Sequence, residues 1–176
     1  TKIAEIFLKE GLKEEAIEEY NKVAIAYLKS GRREEAEDLY RQILRVEPNS
    51  VNATVEVGRL HLDSGHIDEA IAYGNKALEL SPDSTEVFSL LVDSYNKARR
   101  YDEAEELIIR MIETKPEQIS YRDTLASILL NKEDFSRAAN EYLAIAKEYF
   151  NQQDFKKANV YAEKVVGIIP DMVAAH

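Results

Sequence analysis

The sequence predicts an all-α chain of about ten helices, arranged as antiparallel pairs in a right-handed α-solenoid. Three observations carry this expectation. A segment recurs at fixed distance: SGRREEAEDLYRQILRVEP at 30–48, SGHIDEAIAYGNKALELSP at 64–82 and ARRYDEAEELIIRMIETKP at 98–116. Each copy has an alanine six residues after its first residue and a proline eighteen after, and the copies lie 34 residues apart. A period of that size marks a repeat array. Within the copies apolar residues return every three or four positions, as in Leu39, Ile43 and Val46, which is helical spacing. Only 4 Pro and 6 Gly leave little material for β-turns.

The alanines Ala16, Ala36, Ala70, Ala104, Ala138 and Ala158 mark the array, at spacings of 20, 34, 34, 34 and 20. A first helix precedes Gly11. Gly11, Gly31 and Gly65 stand where helices should end in the left-handed conformation that glycine adopts cheaply. Each 20-residue spacing drops about 14 residues, the length of one helix. The second helix, near 13–30, therefore closes a partial unit and opens the next. The third begins on Glu34-Glu35, which face the positive end of its dipole, and stops before Pro48. The fourth and fifth lie near 51–64 and 67–80, the fifth opening on Asp68-Glu69 and closed by Pro82. The sixth and seventh fill 85–118, the seventh opening on Asp102-Glu103 and closed by Pro116. The eighth starts from 119. The ninth, near 135–151, has the double role of the second, and NEYLAIAKEYFNQQDFKKA echoes EEYNKVAIAYLKSGRREEA. The tenth should stop at Pro170.

These segments predict a partial repeat at 1–16, repeats at 17–50, 51–84 and 85–118, and an irregular repeat at 119–152 whose second helix is shared. The second helix of a last repeat follows at 153–172, and 173–176 starts a further unit. Dropping a helix at each 20-residue spacing should bend the stack or change its face. Both ends fall inside units, as expected of a piece of a longer array.

The unit at 17–50 carries Tyr20, Val23-Ala24, Tyr27, Gly31, Ala36, Tyr40 and Pro48. The unit at 51–84 carries Thr54, Val57-Gly58, His61, Gly65, Ala70, Gly74 and Pro82. The unit at 85–118 carries Phe88, Leu91-Val92, Tyr95, Ala104, Ile108 and Pro116. The fourth carries Leu125-Ala126, Ala138 and Tyr142, without the proline. Two helices per 34 residues with this order of aromatic, small and proline positions resembles the tetratricopeptide repeat family. Small residues let neighbouring backbones approach and large ones fill the gaps. Gly74 and Thr54 fit the pattern least, so the second unit should pack most loosely.

The family resemblance is specific for fold and almost silent about function, and the residues themselves offer no catalytic, cofactor or metal constellation. With no cysteine, disulfides and thiolate chemistry are excluded, which fits a reducing cytoplasm. A net charge of −10 disfavours nucleic acid and anionic membranes. No apolar run reaches the ~20 residues of a membrane span. His61 and His66 are five apart across a turn, not at the four-residue spacing of paired ligands on one helix. His61 fills a slot where the family has Tyr, which predicts packing. Adjacent carboxylates such as Glu105-Glu106 point apart on a helix and form no acid–base dyad. No run of glycines could cradle a phosphate.

In such arrays the first helices line a concave groove, and residues one period apart stack along it. Lys22, Glu56, Leu90 and Thr124 form one row; Ile25, Arg59, Asp93 and Ser127 a second; Asn21, Val55, Ser89 and Asp123 a third, with Asn96 beside them. The subtype that clamps a C-terminal carboxylate is excluded, because its slots hold Asn21 and Ile25, then Glu56, then Glu86 and Leu90. Residues 51–118 carry 7 basic and 14 acidic side chains, so a basic partner would be steered there, although a solvated acidic face explains the same charge. The reading is a non-catalytic scaffold that docks a peptide, helix or domain of a partner protein, basic or amphipathic, in this groove. Two alternatives stand beside it. One is an assembly platform or homo-oligomer pairing through the array ends (Ile3, Ile6, Phe7; Val160, Val165, Ile168), as in bacterial motility, secretion or polarity systems. The other is the targeting module of a larger enzyme.

Overall fold

A computed structural model describes residues 1–174, and within these every regular element is a helix. The order is α1 (Lys2–Lys9), α2 (Lys13–Lys29), α3 (Arg33–Val46), α4 (Val51–Asp63), α5 (Ile67–Leu80), α6 (Thr85–Lys97), α7 (Tyr101–Thr114), α8 (Ile119–Asn131), α9 (Phe135–Asn151) and α10 (Phe155–Ala174). The expected number and kind of elements are met. The last residues of the anticipated further unit, with His176, lie outside the described part.

Two kinds of connection alternate, and each follows from its residues. At Pro48, Pro82 and Pro116 the preceding helix ends two residues earlier, at Val46, Leu80 and Thr114. The residue before a proline is pushed out of the helical region, so the chain turns there. The other connection is a left-handed residue at 11, 31, 65, 99, 133 and 153, five before each marker alanine. The next amide then reaches back six residues' span to an orphan carbonyl: Leu12 N–H to Phe7 O, Arg32 to Tyr27, His66 to His61, Asp134 to Leu129 and Asp154 to Tyr149, each at 2.8–2.9 Å. Gly11, Gly31 and Gly65 fill three of these positions as expected. Arg99, Glu133 and Gln153 fill the others, with φ of 56°, 61° and 62°.

Two such turns in succession flank α2, and two flank α9. Both helices have 17 residues, against 13 or 14 in the regular pairs between them. The 20-residue spacings thus correspond to single long helices. The stop expected at Pro170 does not occur, for α10 runs on to Ala174 with Pro170 inside it. The missing N–H frees the carbonyl four residues earlier, on Val166, which is well exposed, so water can take it up.

The chain forms two compact units, residues 1–98 and the residues from 99 onward. In the first, consecutive helices pack from α1 to α6, and α4 also packs on α6. Ala16, Ala36 and Ala70 are fully buried in its helix crossings, with Tyr20, Tyr40 and Ile43 filling the space between. The two positions of unit 51–84 that fit the pattern least, Gly74 and Thr54, are closely packed. Leu91 fills the space beside Gly74, and Thr54 is fully buried with its hydroxyl donating to the Ser50 carbonyl at 2.8 Å. In the second unit α7, α8, α9 and α10 pack in sequence around Ala104, Ala138, Tyr142 and Ile145.

Candidate functional site

In the first unit the first helices α2, α4 and α6 adjoin. Asn52 on α4 donates to Asn21 Oδ1 on α2 at 3.3 Å, and Leu90 on α6 covers Gly58 on α4. Lys97 on α6 donates to the Leu62 carbonyl at 3.3 Å, near the C-terminal end of α4. This face positions the candidate rows. Ile25, Arg59 and Asp93, one period apart, are all exposed, and Ile25 presents 47 % of its surface. Lys22 and Ser89 are exposed too, and Ser89 Oγ donates to Asp93 at 3.4 Å. Asn21 and Glu56 are half-buried.

Two of the expected groove residues are core residues instead. Leu90 is 1 % and Val55 3 % exposed. Their helices α4 and α6 are covered from several sides, so an apolar side chain one position off the open face turns inward. Asn96 is half-buried with its Oδ1 enclosed and without a partner.

Electrostatics on this face centre on Glu56. Burial pushes its carboxyl up from the ordinary value, while the positive charge of Arg59 pulls the other way. Burial, and then the charge of Glu56, also lifts the Tyr40 phenol to about 12.

The rows' counterparts in the second unit are largely committed within their own unit. Asp123, half-buried, receives a hydrogen bond from Lys164 Nζ at 2.9 Å. That ammonium lies over the rings of Tyr142 at 4.6 Å and Tyr161 at 4.5 Å. Hydrogen bonding to Asp123 and the neighbouring negative charge outweigh burial and raise the Lys164 pKa. Thr124 and Ser127 turn their hydroxyls back onto the carbonyls of Ser120 and Asp123. None of this was legible in the spacing, because Lys164 lies 41 residues from Asp123.

His61 packs as expected, stacked on Tyr73 with ring centroids 5.4 Å apart. Its Nε2 lies near Glu37 and Arg41, at 3.6 and 3.4 Å. His66 meets its ring edge-on at 5.7 Å. Among the described residues no group of three or more His, Asp or Glu is placed to hold a metal ion, and no helix is long and apolar enough to cross a membrane. A half-buried carboxylate outside the rows is Glu105, which accepts from Lys132 at 2.5 Å and Arg137 at 2.6 Å. Burial alone would raise its pKa, but these hydrogen bonds outweigh burial and hold it below the ordinary value.

The decisive comparison is with protein families. Three tetratricopeptide repeat models match the chain, over residues 23–85, 61–128 and 139–172. The chain belongs to the tetratricopeptide repeat family. Its fold is similar to that of MamA proteins of solved structure. MamA 41-end from Desulfovibrio magneticus RS-1 aligns at 21 % identity and TM-score 0.68, covering 87 % of this chain and 94 % of that one. MamA of AMB-1 aligns at 22 % and 0.60, covering 88 % and 92 %. Comparison with curated proteins yields no match.

Several large apolar side chains are exposed at the helix surfaces. Ile3 and Ile6 stand out from α1, and Val160 from α10, as expected of the two terminal helices. Ile168, expected with them, is buried, and Phe7 and Val165 are half-buried. Sequence reasoning missed Phe150 and Phe155, which meet edge-to-face across the α9–α10 turn at 5.4 Å while 62 % and 59 % exposed.

Proposed function

We propose that the protein is a non-catalytic interaction scaffold that docks a segment of a partner protein on the first-helix face of residues 1–98. The observation that carries this reading is the exposure of Ile25, Arg59 and Asp93 on three adjoining helices of one packed core. A fixed backbone holding an apolar, a basic and an acidic side chain in line suits recognition of an irregular segment, because little ordering cost remains for the scaffold. Ile25 supplies apolar contact and the charged pair sets register. The occupant is a basic or amphipathic peptide or helix, favoured by the 3 basic against 8 acidic side chains of residues 51–98. Such charge acts mainly on association rate and is screened over ~8 Å at physiological salt.

The test is affinity purification from the cell of origin. A variant carrying Ile25→Asp, Arg59→Glu and Asp93→Lys should lose the partner, and one carrying Lys76→Glu and Glu79→Lys on α5 should keep it. Retention by the first variant places the site elsewhere. The exposed Ile3, Ile6, Phe150 and Phe155 favour the assembly reading as an alternative. Light scattering over a concentration series separates the two, since only self-assembly makes the mass rise with concentration.

A further inference from the structure

A second surface in the residues from 99 onward has its own chemistry. Where the regular repeats place Tyr20, Thr54 and Phe88, all buried, the next position in register is Arg122. Its guanidinium turns to Glu141 at 2.9 Å on α9. A pocket of ≈ 340 Å³ lies beside it, between the 116–118 connection, the start of α8 and the C-terminal part of α9. Pro116, Ile119, Ala144 and Ile145 form an apolar wall. Glu117 and Glu148, both exposed, also line the pocket. The Gln152 amide donates to Glu148 at 2.9 Å, which leaves its charge intact. Arg122 is neutralised by Glu141, so the lining keeps an excess of negative charge.

We propose that this pocket receives the lysine or arginine side chain of a partner protein. The aliphatic stem of such a residue would lie on the apolar wall and its cation would reach Glu117 and Glu148, the combination of apolar body and charged tip that these side chains offer. A neutral chain of equal length would leave two carboxylates unmatched, and an acidic one would be repelled. The proposal shares with the preceding section only the notion of a protein partner. It concerns residues from 116 onward, so either can fail without the other.

The experiment is a titration of the ¹⁵N-labelled full chain with capped alanine pentapeptides whose central residue is arginine, lysine, norleucine or glutamate. Arginine or lysine should shift the amides of Ile119, Ala144, Ile145 and Glu148 saturably. Norleucine should bind at least about tenfold more weakly, the share of a charge-assisted contact. The double variant Glu117→Gln with Glu148→Gln should lose that preference. Arg122→Phe, which restores the repeat's aromatic and fills the space, should abolish binding while the spectrum stays folded. Glu106→Gln, on an exposed part of α7, should change nothing. Norleucine binding as well as arginine, cationic shifts spread without saturation over all acidic helices, or unaltered binding to Arg122→Phe would each overturn the proposal. Tighter binding of putrescine than of either peptide would assign the pocket to a small diamine and overturn the protein ligand.

Discussion

The Cδ2 atom of Leu90 lies 2.6 Å from where a β-carbon on Gly58 would stand. Leu90 thus belongs to the joint between α4 and α6, and the face it was expected to line is carried by its neighbours. Replacing it with alanine is expected to open a cavity and destabilise by about 2–5 kcal/mol. Ile25→Ala, on the open face, should stay within about 0.5 kcal/mol of wild type. Urea denaturation of both variants checks this, and equal effects would contradict the assignment of core and face.

Glycines in the helices divide by the same measure. A methyl group on Gly74 would meet Leu91 Cγ at 2.8 Å, which is not the free end of a side chain, whereas on Gly167 it would meet nothing within 4 Å. Gly74→Ala is expected to destabilise by about 1–3 kcal/mol. Gly167→Ala should stabilise by up to about 1 kcal/mol through helix propensity. Thermal melts of the two variants should shift in opposite directions. Ala70→Leu and Ala104→Leu, at fully buried crossings, belong with Gly74→Ala.

Three helix ends carry a left-handed residue with a side chain. Glu133→Gly and Gln153→Gly should each stabilise by about 0.5–1 kcal/mol, since the steric cost of that conformation exceeds the entropy cost of glycine. Gly31→Ala and Gly65→Ala should destabilise by a similar amount. Denaturation midpoints read the signs, and a loss of stability in both glycine variants would contradict the turn geometry.

These turns show what was legible. The marker alanines were readable because only a small residue fits a close helix crossing, and all six are buried. Arg99, Glu133 and Gln153 carry no chemical sign of positive φ; only their place five residues before a marker alanine could have exposed them. The pairs Lys164–Asp123 and Lys132–Asp102 span 41 and 30 residues, beyond any local pattern. Exposure was harder to read than fold. Helices covered on several sides leave an apolar residue such as Val55 no distinctive neighbours in sequence to mark its direction.

Two carboxyls should respond oppositely to pH. Glu105 is held below the ordinary carboxylate value, so its contribution is present above the unfolded pKa and lost as pH falls through the folded one. Glu105→Gln should cost about 1–3 kcal/mol at neutral pH and progressively less as pH falls through the folded pKa. Glu56 is raised, so the folded state favours its protonated form and the ionised form works against folding. Glu56→Gln should therefore stabilise at neutral pH, with the gain vanishing in acid below the unfolded pKa. Urea titrations of both variants across that range supply the check.

The central claim is that a partner meets the first helices of residues 1–98. Site-specific photo-crosslinking tests it most directly, with p-benzoylphenylalanine placed singly at Arg59, at Asp93, and at the exposed Lys76 and Glu79 of α5. The expected result is one partner protein crosslinked from Arg59 and Asp93 and absent from Lys76 and Glu79. Equal crosslinking of that partner from all four positions, or from the α5 positions alone, would contradict the account.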